Sequence, residues 1–471
     1  MRSTFLSIAT VASIFSTAVA QTAYANDWVD PDYILSRNFG PHTARSQAQI
    51  ILWAHKLAIG GPWSVMNKTF TPPSGNKHDY MSLAPYWWPD CSGVGNATAL
   101  TEQQIWTTCP YKQRDGQFNP DARTVDNVGG FQSMSEASFY NTMAWALNTD
   151  PYERGTFEFN AVRFIRAWFI DDDTKMTPHM NYAQMKRGPD GQLGSRTGIL
   201  DLKNMVKVSN AILILRKGQS KLWTDDLDSK MRAWTKEYIN WLETSDLAQE
   251  EKAATNNHGS FYYNQLAALK ILNNDMTGAK TTTDEFFNTL YMDQITSKGE
   301  QPLEAIRTRP YHYRAYNLAA LVTNARLAQH VDKTSNSWNK TTKDGANIKS
   351  AVDFAMTVPA SGTGETKYAS ELHPIIASAA SVYGDSDGKY LAYMKKENPL
   401  FMSSPYVLWN QPWAENEASG RAPTSSVPNT NQNNANGKTS GGVVSLKLLR
   451  VGLLKRMALA TAAVGVLGRR L

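Results

Sequence analysis

The segment TNNHGSFYYNQLAALKIL, residues 255–272, joins a helix start to a long apolar helix body. Asn257 stands where a helix N-cap is expected, and Leu266 and Leu269 follow on one side of the predicted helix. The same apolar spacing predicts further helices over residues 44–59, 135–147, 157–169, 200–215, 227–242, 284–295, 311–329, 347–356 and 372–382. Helix-breaking residues separate these segments, and no alternation of strands and helices appears. The pattern predicts an all-α fold of helical hairpins packed on one another.

The two ends of the chain differ in composition from its body. Residues 1–20 have the basic start, apolar stretch and Ala-Val-Ala ending of a secretory signal peptide, with a second such ending at 23–25. Residues 416–441 are polar and predict a disordered linker. The basic and apolar tail, 442–471, resembles a GPI-attachment signal; the alternatives are a helix lying on a membrane or an unstructured tail. We therefore expect a folded domain over 26–415 that is secreted, or anchored at the cell surface by its tail.

The positive charge of the chain is concentrated at its C-terminus. The net charge is +6 and the isoelectric point is near 9.0, but residues 438–471 hold seven basic residues and no acidic one. The remainder is close to neutral, which argues against a nucleic acid partner. An anionic ligand would need a local basic cleft.

Secretion determines how the cysteines and several asparagines are interpreted. Cys91 and Cys109 are the only two cysteines, and an oxidising compartment favours a disulfide between them over a catalytic thiol or a metal site. Asn67, Asn96 and Asn339 each begin an Asn-X-Thr triplet, the acceptor sequence for N-glycosylation. We expect a disulfide-bonded glycoprotein.

The start of the 259–272 helix carries groups that suit a bound carboxylate. A helix N-terminus presents free N–H groups and positive potential. Asn256 or Asn257 can add hydrogen bonds without adding charge, and His258 can serve as a base or a donor near neutral pH. The alternative interpretation is a capping asparagine followed by a structural histidine.

A second polar cluster, RTRPYHYRAY, occupies residues 307–316. Pro310 fits the first turn of a helix, which places Arg309, His312 and Tyr316 on one stripe. A phenol near a guanidinium is biased towards phenolate, the form that a general base needs. The alternative is a solvated polar face on which Tyr316 merely packs.

Three loops add polar and aromatic side chains that suit a sugar polymer. Aromatic faces stack on sugar C–H surfaces, and cations pair with carboxylates. Packing within each loop is the alternative explanation. The candidate binding residues in these loops are Lys77, His78, Tyr80, Trp87, Trp88, Asn181, Tyr182, Gln184 and Arg196.

Together these motifs resemble the alginate lyase superfamily, which includes polysaccharide lyase family 5 and the family 38 alginate and glucuronan lyases. The resemblance spans residues 30–400 and rests on the Lys-His-Asp-Tyr and Tyr-Trp-Trp-Pro loop, Asn-Tyr-Ala-Gln, Asn-Asn-His-Gly and the Arg-to-Tyr helix. It implies an (α/α) toroid, an incomplete barrel of helical hairpins, with a cleft across one face. The Gly259 that follows the histidine is closer to family 38 than to family 5.

The resemblance also implies roles for individual residues. Asn257 and His258 would neutralise the uronate carboxylate with help from Arg309, for which Arg307 is a rival. Tyr316 would take the C5 proton and protonate the leaving O4. The remaining polar residues of these motifs, Asn256, Arg307 and His312 among them, would bind the polymer.

The implied activity is that of a carbon–oxygen lyase acting on polysaccharides. It would be a secreted enzyme that cleaves alginate, polymannuronate or glucuronan by β-elimination and leaves 4,5-unsaturated uronate ends. No cofactor or metal is expected. The sequence leaves the polymer, the endo or exo mode and the oligomeric state open.

Two other classes of function remain open at this point. A glycoside hydrolase on an (α/α) barrel would need two carboxylates flanking the bond, and Asp79, Glu136 and Asp201 are loose candidates. A non-catalytic cell-wall polysaccharide-binding protein would need neither His258 nor Tyr316.

Overall fold

Helices joined by short loops make up most of residues 28–410, the part of the chain that the computed structural model describes. The predicted signal peptide, linker and tail lie outside the described residues. The helices are α1 (Pro31–Ser36), α2 (Ala44–Ala58), α3 (Glu102–Thr108), α4 (Asn127–Leu147), α5 (Pro151–Phe169), α6 (Met205–Lys217), α7 (Asp225–Thr244), α8 (Asp246–Lys252), α9 (Asn257–Leu272), α10 (Met276–Asn288), α11 (Pro302–Ala305), α12 (Pro310–Val331), α13 (Ile348–Thr357), α14 (His373–Tyr383), α15 (Lys389–Glu397) and α16 (Tyr406–Trp409).

The predicted helices are confirmed in position, with two boundary errors of physical interest. The segment 200–215 splits into a 3₁₀ helix, Arg196–Leu202, and α6. The predicted helix at 284–295 begins earlier, at Met276, where the side chain of Asp275 accepts a hydrogen bond from the amide of Gly278. That cap fixes a start that apolar spacing alone does not reveal.

An inner set of helices forms the ring of the all-α toroid. α4 packs on α6, α6 on α9, α9 on α12 and α12 on α14. α16 contacts both α14 and α2, and α2 contacts α4, so the ends of the described chain meet. Helices α5, α10 and α13 pack against inner helices. α4, α9 and α12 are buried around nearly their whole circumference, as helices enclosed by others must be.

Buried asparagines join neighbouring inner helices. The side-chain amide of Asn264 on α9 donates to the carbonyl of Ala320 on α12, and that of Asn324 on α12 donates to the carbonyl of Ser260 on α9. Both asparagines are fully buried. Since a buried amide without a partner is costly, these reciprocal bonds fix the register of α9 against α12.

Two small sheets stand beside the helices. β1 (Met81–Leu83) pairs in parallel with β4 (Tyr182–Met185), and β2 (Trp87–Pro89) pairs antiparallel with β3 (Tyr111–Gln113). The predicted disulfide between Cys91 and Cys109 is confirmed, and it lies just beyond the paired ends of β2 and β3.

The surface features expected of a secreted protein can be located in part. Asn67, Asn96 and Asn339, the three predicted glycosylation sites, are exposed. Within residues 28–410 no helix combines the length and the apolar character that a membrane span requires.

Candidate active site

A cleft of about 620 Å³ lies where the first turns of α9 and α12 meet the β2–β3 ribbon. It brings together three of the four predicted catalytic residues, Asn257, His258 and Tyr316. Of the predicted binding residues, it is lined by Trp87, Gln184, Arg196, Asn256, Arg307 and His312.

The α9 start differs by one residue from the sequence-based expectation. Asn256, not Asn257, is the N-cap, and its side chain accepts a hydrogen bond from the amide of His258 at 3.3 Å. The cap position explains why Asn257 points elsewhere. Its backbone and side-chain nitrogens each donate to one oxygen of Glu304, both at 2.7 Å.

A buried carboxylate orients His258. Nδ1 of His258 lies 2.6 Å from Oε1 of Glu251, whose side chain is fully buried. The other oxygen of Glu251 accepts a hydrogen bond at 2.7 Å from Arg196, which also pairs with Glu250 at 3.3 Å. With Nδ1 donating to Glu251, Nε2 is the ring nitrogen left for the cleft.

The first turn of α12 is held from a distant part of the chain. Pro310 stands at its first position, as predicted. The backbone amides of Tyr311 and His312 donate to the two oxygens of Glu365 at 3.0 and 2.9 Å. A carboxylate at this position also interacts favourably with the helix dipole.

Of the three residues predicted to share one face of α12, His312 and Tyr316 do so. The rings of His312 and Tyr316 stack at 5.6 Å, and Tyr316 packs against Phe261 of α9 at 4.4 Å. Nδ1 of His312 lies 2.7 Å from Oε2 of Glu371. Burial raises the pKa of Glu371, and the bond to His312 opposes that shift. Tyr316 is therefore packed between the two helices that carry the site.

The two rival arginines occupy different places. Arg307 lines the cleft, with its guanidinium 4.0 Å from the ring centre of Tyr313. Arg309 is not among the lining residues. It donates at 2.6 Å to the hydroxyl of Tyr368 and at 2.5 Å to that of Tyr86. The free cleft thus exposes Arg307, while Arg309 holds a tyrosine of the cleft wall.

The wall opposite α9 contains a strained glutamine. Gln184 has φ of 42°, a conformation that side-chain-bearing residues rarely adopt. The side-chain nitrogen of Gln184 donates to Asp201 at 2.9 Å, and its side-chain oxygen accepts from the hydroxyl of Thr197 at 2.8 Å. Strain held in this way is a common feature of binding sites. Beside it, Lys186 lies 5.0 Å from the ring centre of Trp87.

Several predicted binding residues do not line the cleft. Tyr80 is fully buried and its hydroxyl donates to Asp201, so its role here is structural. His78 bonds the carbonyl of Lys175, the indole of Trp88 donates to the carbonyl of Gln117, and Asn181 accepts from Trp241. The other two that lie outside the lining are Lys77, which is exposed, and Tyr182.

The cleft also contains residues that sequence analysis did not identify. Three buried glutamates hold cleft residues in place. Glu251 binds His258, Glu304 binds Asn257 and Glu371 binds His312, and they lie 7, 47 and 59 residues along the chain from these partners. Glu251 lies in α8, Glu304 in α11 and Glu371 in a 3₁₀ helix, and a glutamate on another element gives no local signal. The polar lining residues that were not among the predicted site residues are Tyr86, Gln113, Asp115, Lys186, Ser195, Thr197, Glu250 and Tyr313.

The carboxylates considered for glycoside hydrolysis lie elsewhere. Glu136 forms a buried ion pair with Lys207 at 2.5 Å. Asp201 is bonded by Tyr80, Ser82 and Gln184, and Asp79 by Ser74, Asn76 and Thr177. None of the three lines the cleft. In the described part of the chain, no group of three or more His, Cys, Asp or Glu side chains has a metal-binding arrangement.

Comparisons with known proteins agree with this geometry. The family model for alginate lyase matches residues 64–365, which include every lining residue of the cleft. A solved structure of an alginate lyase from Bacteroides ovatus is 28% identical, with a TM-score of 0.70, and the match covers 82% of this chain and 99% of that one. No curated protein sequence matches significantly.

Proposed function

Because this chain belongs to the alginate lyase family and is a polysaccharide lyase, we propose that it cleaves 1,4-linked polyuronates by β-elimination. The substrates are alginate or polymannuronate, or glucuronan. The observation that carries the proposal is the meeting of Asn257, His258 and Tyr316 in one cleft with cationic walls.

The first step is neutralisation of the uronate carboxylate. A C5 proton next to an ionised carboxylate is barely acidic, because its removal would place a second negative charge on the same group. Hydrogen bonds from Asn257 and positive charge from an arginine stabilise the enolate-like state that develops. Arg307 is the arginine that lines the cleft. Arg309 would first have to break its hydrogen bond to Tyr86 or Tyr368 before it could bind the substrate.

The second step moves the proton and breaks the bond. Tyr316, as phenolate, takes the C5 proton; the C5–H electron pair forms the C4–C5 double bond as the C4–O4 bond breaks. Tyr316 then returns the proton to O4 when H5 and O4 lie on the same side of the ring. When they lie on opposite sides, Nε2 of His258 takes the C5 proton and Tyr316, as the neutral phenol, donates its own proton to O4. The products are a new non-reducing end with a 4,5-unsaturated uronate and a shortened chain.

The positive charge for this reaction is supplied by the protein in our proposal. Arg307 lines the cleft, and in this proposal it neutralises the substrate carboxylate in place of a metal. We also propose that the protein is secreted. The signal-like N-terminus, the disulfide and three exposed glycosylation triplets support this.

The test is the ultraviolet absorbance of unsaturated uronate on a panel of polymannuronate, polyguluronate, mixed alginate and glucuronan. We expect a rise on at least one polymer, unchanged by a metal chelator. Reducing ends without the absorbance would indicate hydrolysis, and binding without either would indicate a binding protein. Both of these results would contradict the proposal.

A further inference from the structure

The carboxamide of Asn257 is oriented in a way that does not suit a carboxylate ligand. Its nitrogen donates to Glu304, and its oxygen is buried without a hydrogen-bond partner among residues 28–410. A carbonyl oxygen repels a carboxylate, and an unpaired buried acceptor destabilises the fold. The oxygen and nitrogen of a carboxamide have nearly the same shape, so the hydrogen-bond network decides which way the group faces.

The surroundings of Glu304 disfavour a negative charge. The residue is 1% exposed, and within the described residues its hydrogen-bond donors are the two nitrogens of Asn257, neither of them charged. Burial raises the pKa of Glu304; hydrogen bonds from Asn257 and the charges of Arg307 and His258 oppose that shift.

Glu251 provides the contrast on the other side of the α9 start. It is equally buried, but Arg196 donates to one oxygen and His258 to the other. A buried carboxylate with a guanidinium partner is stable as an anion, and one with amide partners alone has far less to offset its lost hydration. Of these two glutamates, Glu251 therefore has a cationic partner and Glu304 has amide partners alone.

We propose that Glu304 is a neutral carboxylic acid whose hydroxyl donates to Oδ1 of Asn257, so that the side-chain nitrogen of Asn257 takes the place of the unpaired oxygen on the side away from Glu304. The other oxygen of Glu304 still accepts from the backbone amide of Asn257. This arrangement satisfies the unpaired oxygen and removes a negative charge from beneath an anionic substrate. The proposal rests on the proposed role of Asn257, and Glu304 is a positioning residue in it.

The first test compares two substitutions at Glu304. Glutamine reproduces a protonated glutamate, since its nitrogen donates to Oδ1 and its oxygen accepts from the backbone. We expect Glu304→Gln to reduce kcat/KM by no more than about threefold, and Glu304→Ala by at least about tenfold. The matched control is Glu251→Gln, which removes a charged acceptor and is expected to lose at least about tenfold. Equal losses in Glu304→Gln and Glu304→Ala would overturn the proposal.

The second test observes the protonation of Glu304 directly. The infrared difference spectrum of wild type minus Glu304→Gln should contain the carbonyl stretch of a protonated carboxylic acid at neutral pH. Its absence, with a carboxylate band in its place, would overturn the proposal whatever the kinetics of the variants. The variant Asn257→Ala distinguishes a failure of the proposed role of Asn257 from a failure of the proposed protonation of Glu304. If that variant keeps full kcat/KM while the acid band is present, the proposed function of Asn257 fails and the protonation of Glu304 stands.

Discussion

The imidazole of His258 and the carboxylate of Glu251 are joined by a hydrogen bond of 2.6 Å, and the same carboxylate binds Arg196. One buried anion thus orients two cleft residues. We expect Glu251→Gln to lower kcat/KM by about 10–100-fold, because hydrogen bonds to charged groups are worth about 1.5–3 kcal/mol. Steady-state kinetics on the best polyuronate of the panel would measure it.

The neighbouring Glu250 supplies the matched control for that prediction. It lies on the same helix and pairs with Arg196 at 3.3 Å, but it is largely exposed and does not contact His258. An exposed ion pair contributes little, so Glu250→Gln should change kcat/KM by less than about threefold. Equal losses in both variants would show that Arg196, rather than His258, is the group that Glu251 serves.

Replacing Tyr316 with phenylalanine removes the proposed proton carrier and keeps the ring. The contacts with His312 and Phe261 involve the ring face, so the fold should be retained. We expect kcat to fall by about 10²–10⁴-fold, the usual contribution of general acid–base catalysis. Circular dichroism would verify folding. A variant with normal turnover would assign the proton transfer to another residue.

The two rival arginines can be separated by their effects on binding and stability. Arg307→Ala should lower kcat/KM by about 10–100-fold, because it removes a charged hydrogen bond to the carboxylate in the transition state, with little change in thermal midpoint. Arg309→Ala removes bonds to Tyr86 and Tyr368, so it should lower the thermal midpoint. A lowered kcat/KM with unchanged melting in Arg309→Ala, and no effect in Arg307→Ala, would assign the substrate carboxylate to Arg309.

The disulfide should matter for both stability and substrate affinity. Cys91 and Cys109 close a loop of sequence separation 18 next to the ribbon that carries Trp87 and Gln113 to the cleft. Replacing both cysteines with serine should lower the free energy of unfolding by about 2–4 kcal/mol in chemical denaturation. We expect KM to rise more than kcat falls, since the proton-moving residues lie on other elements. A collapse of kcat at constant KM would place the ribbon closer to the chemistry.

Local patterns predicted the elements of this fold well because those patterns act over a few residues. Apolar spacing located α9 and α12, and Pro310 located the start of α12. The same reasoning misplaced the α9 cap by one residue, because Asn256 and Asn257 are both good caps. The two are distinguished by the bond of Asn257 to Glu304, 47 residues away, which no local pattern predicts.

The site was predictable where its chemistry follows helix periodicity and not where it depends on tertiary contacts. His312 and Tyr316 are one helical turn apart, so their stacking follows from sequence. Tyr80 and Trp88 have the residue types of a sugar-binding loop, but the fold directs the first into the core and ties the second to the carbonyl of Gln117. No spacing rule distinguishes these outcomes from exposure in a cleft.

Glu365 has a consequence for the synthesis of the enzyme. The first turn of α12, which carries His312 and leads to Tyr316, has its amides held by a carboxylate 53 and 54 residues further along the chain. His312 itself is oriented by Glu371, which comes later still. While the polypeptide emerges from the ribosome, this turn therefore lacks the carboxylate of Glu365 until residue 365 has left the exit tunnel. His312 lacks the carboxylate of Glu371 until residue 371 has left it. Catalytic competence is among the last properties that the growing chain acquires.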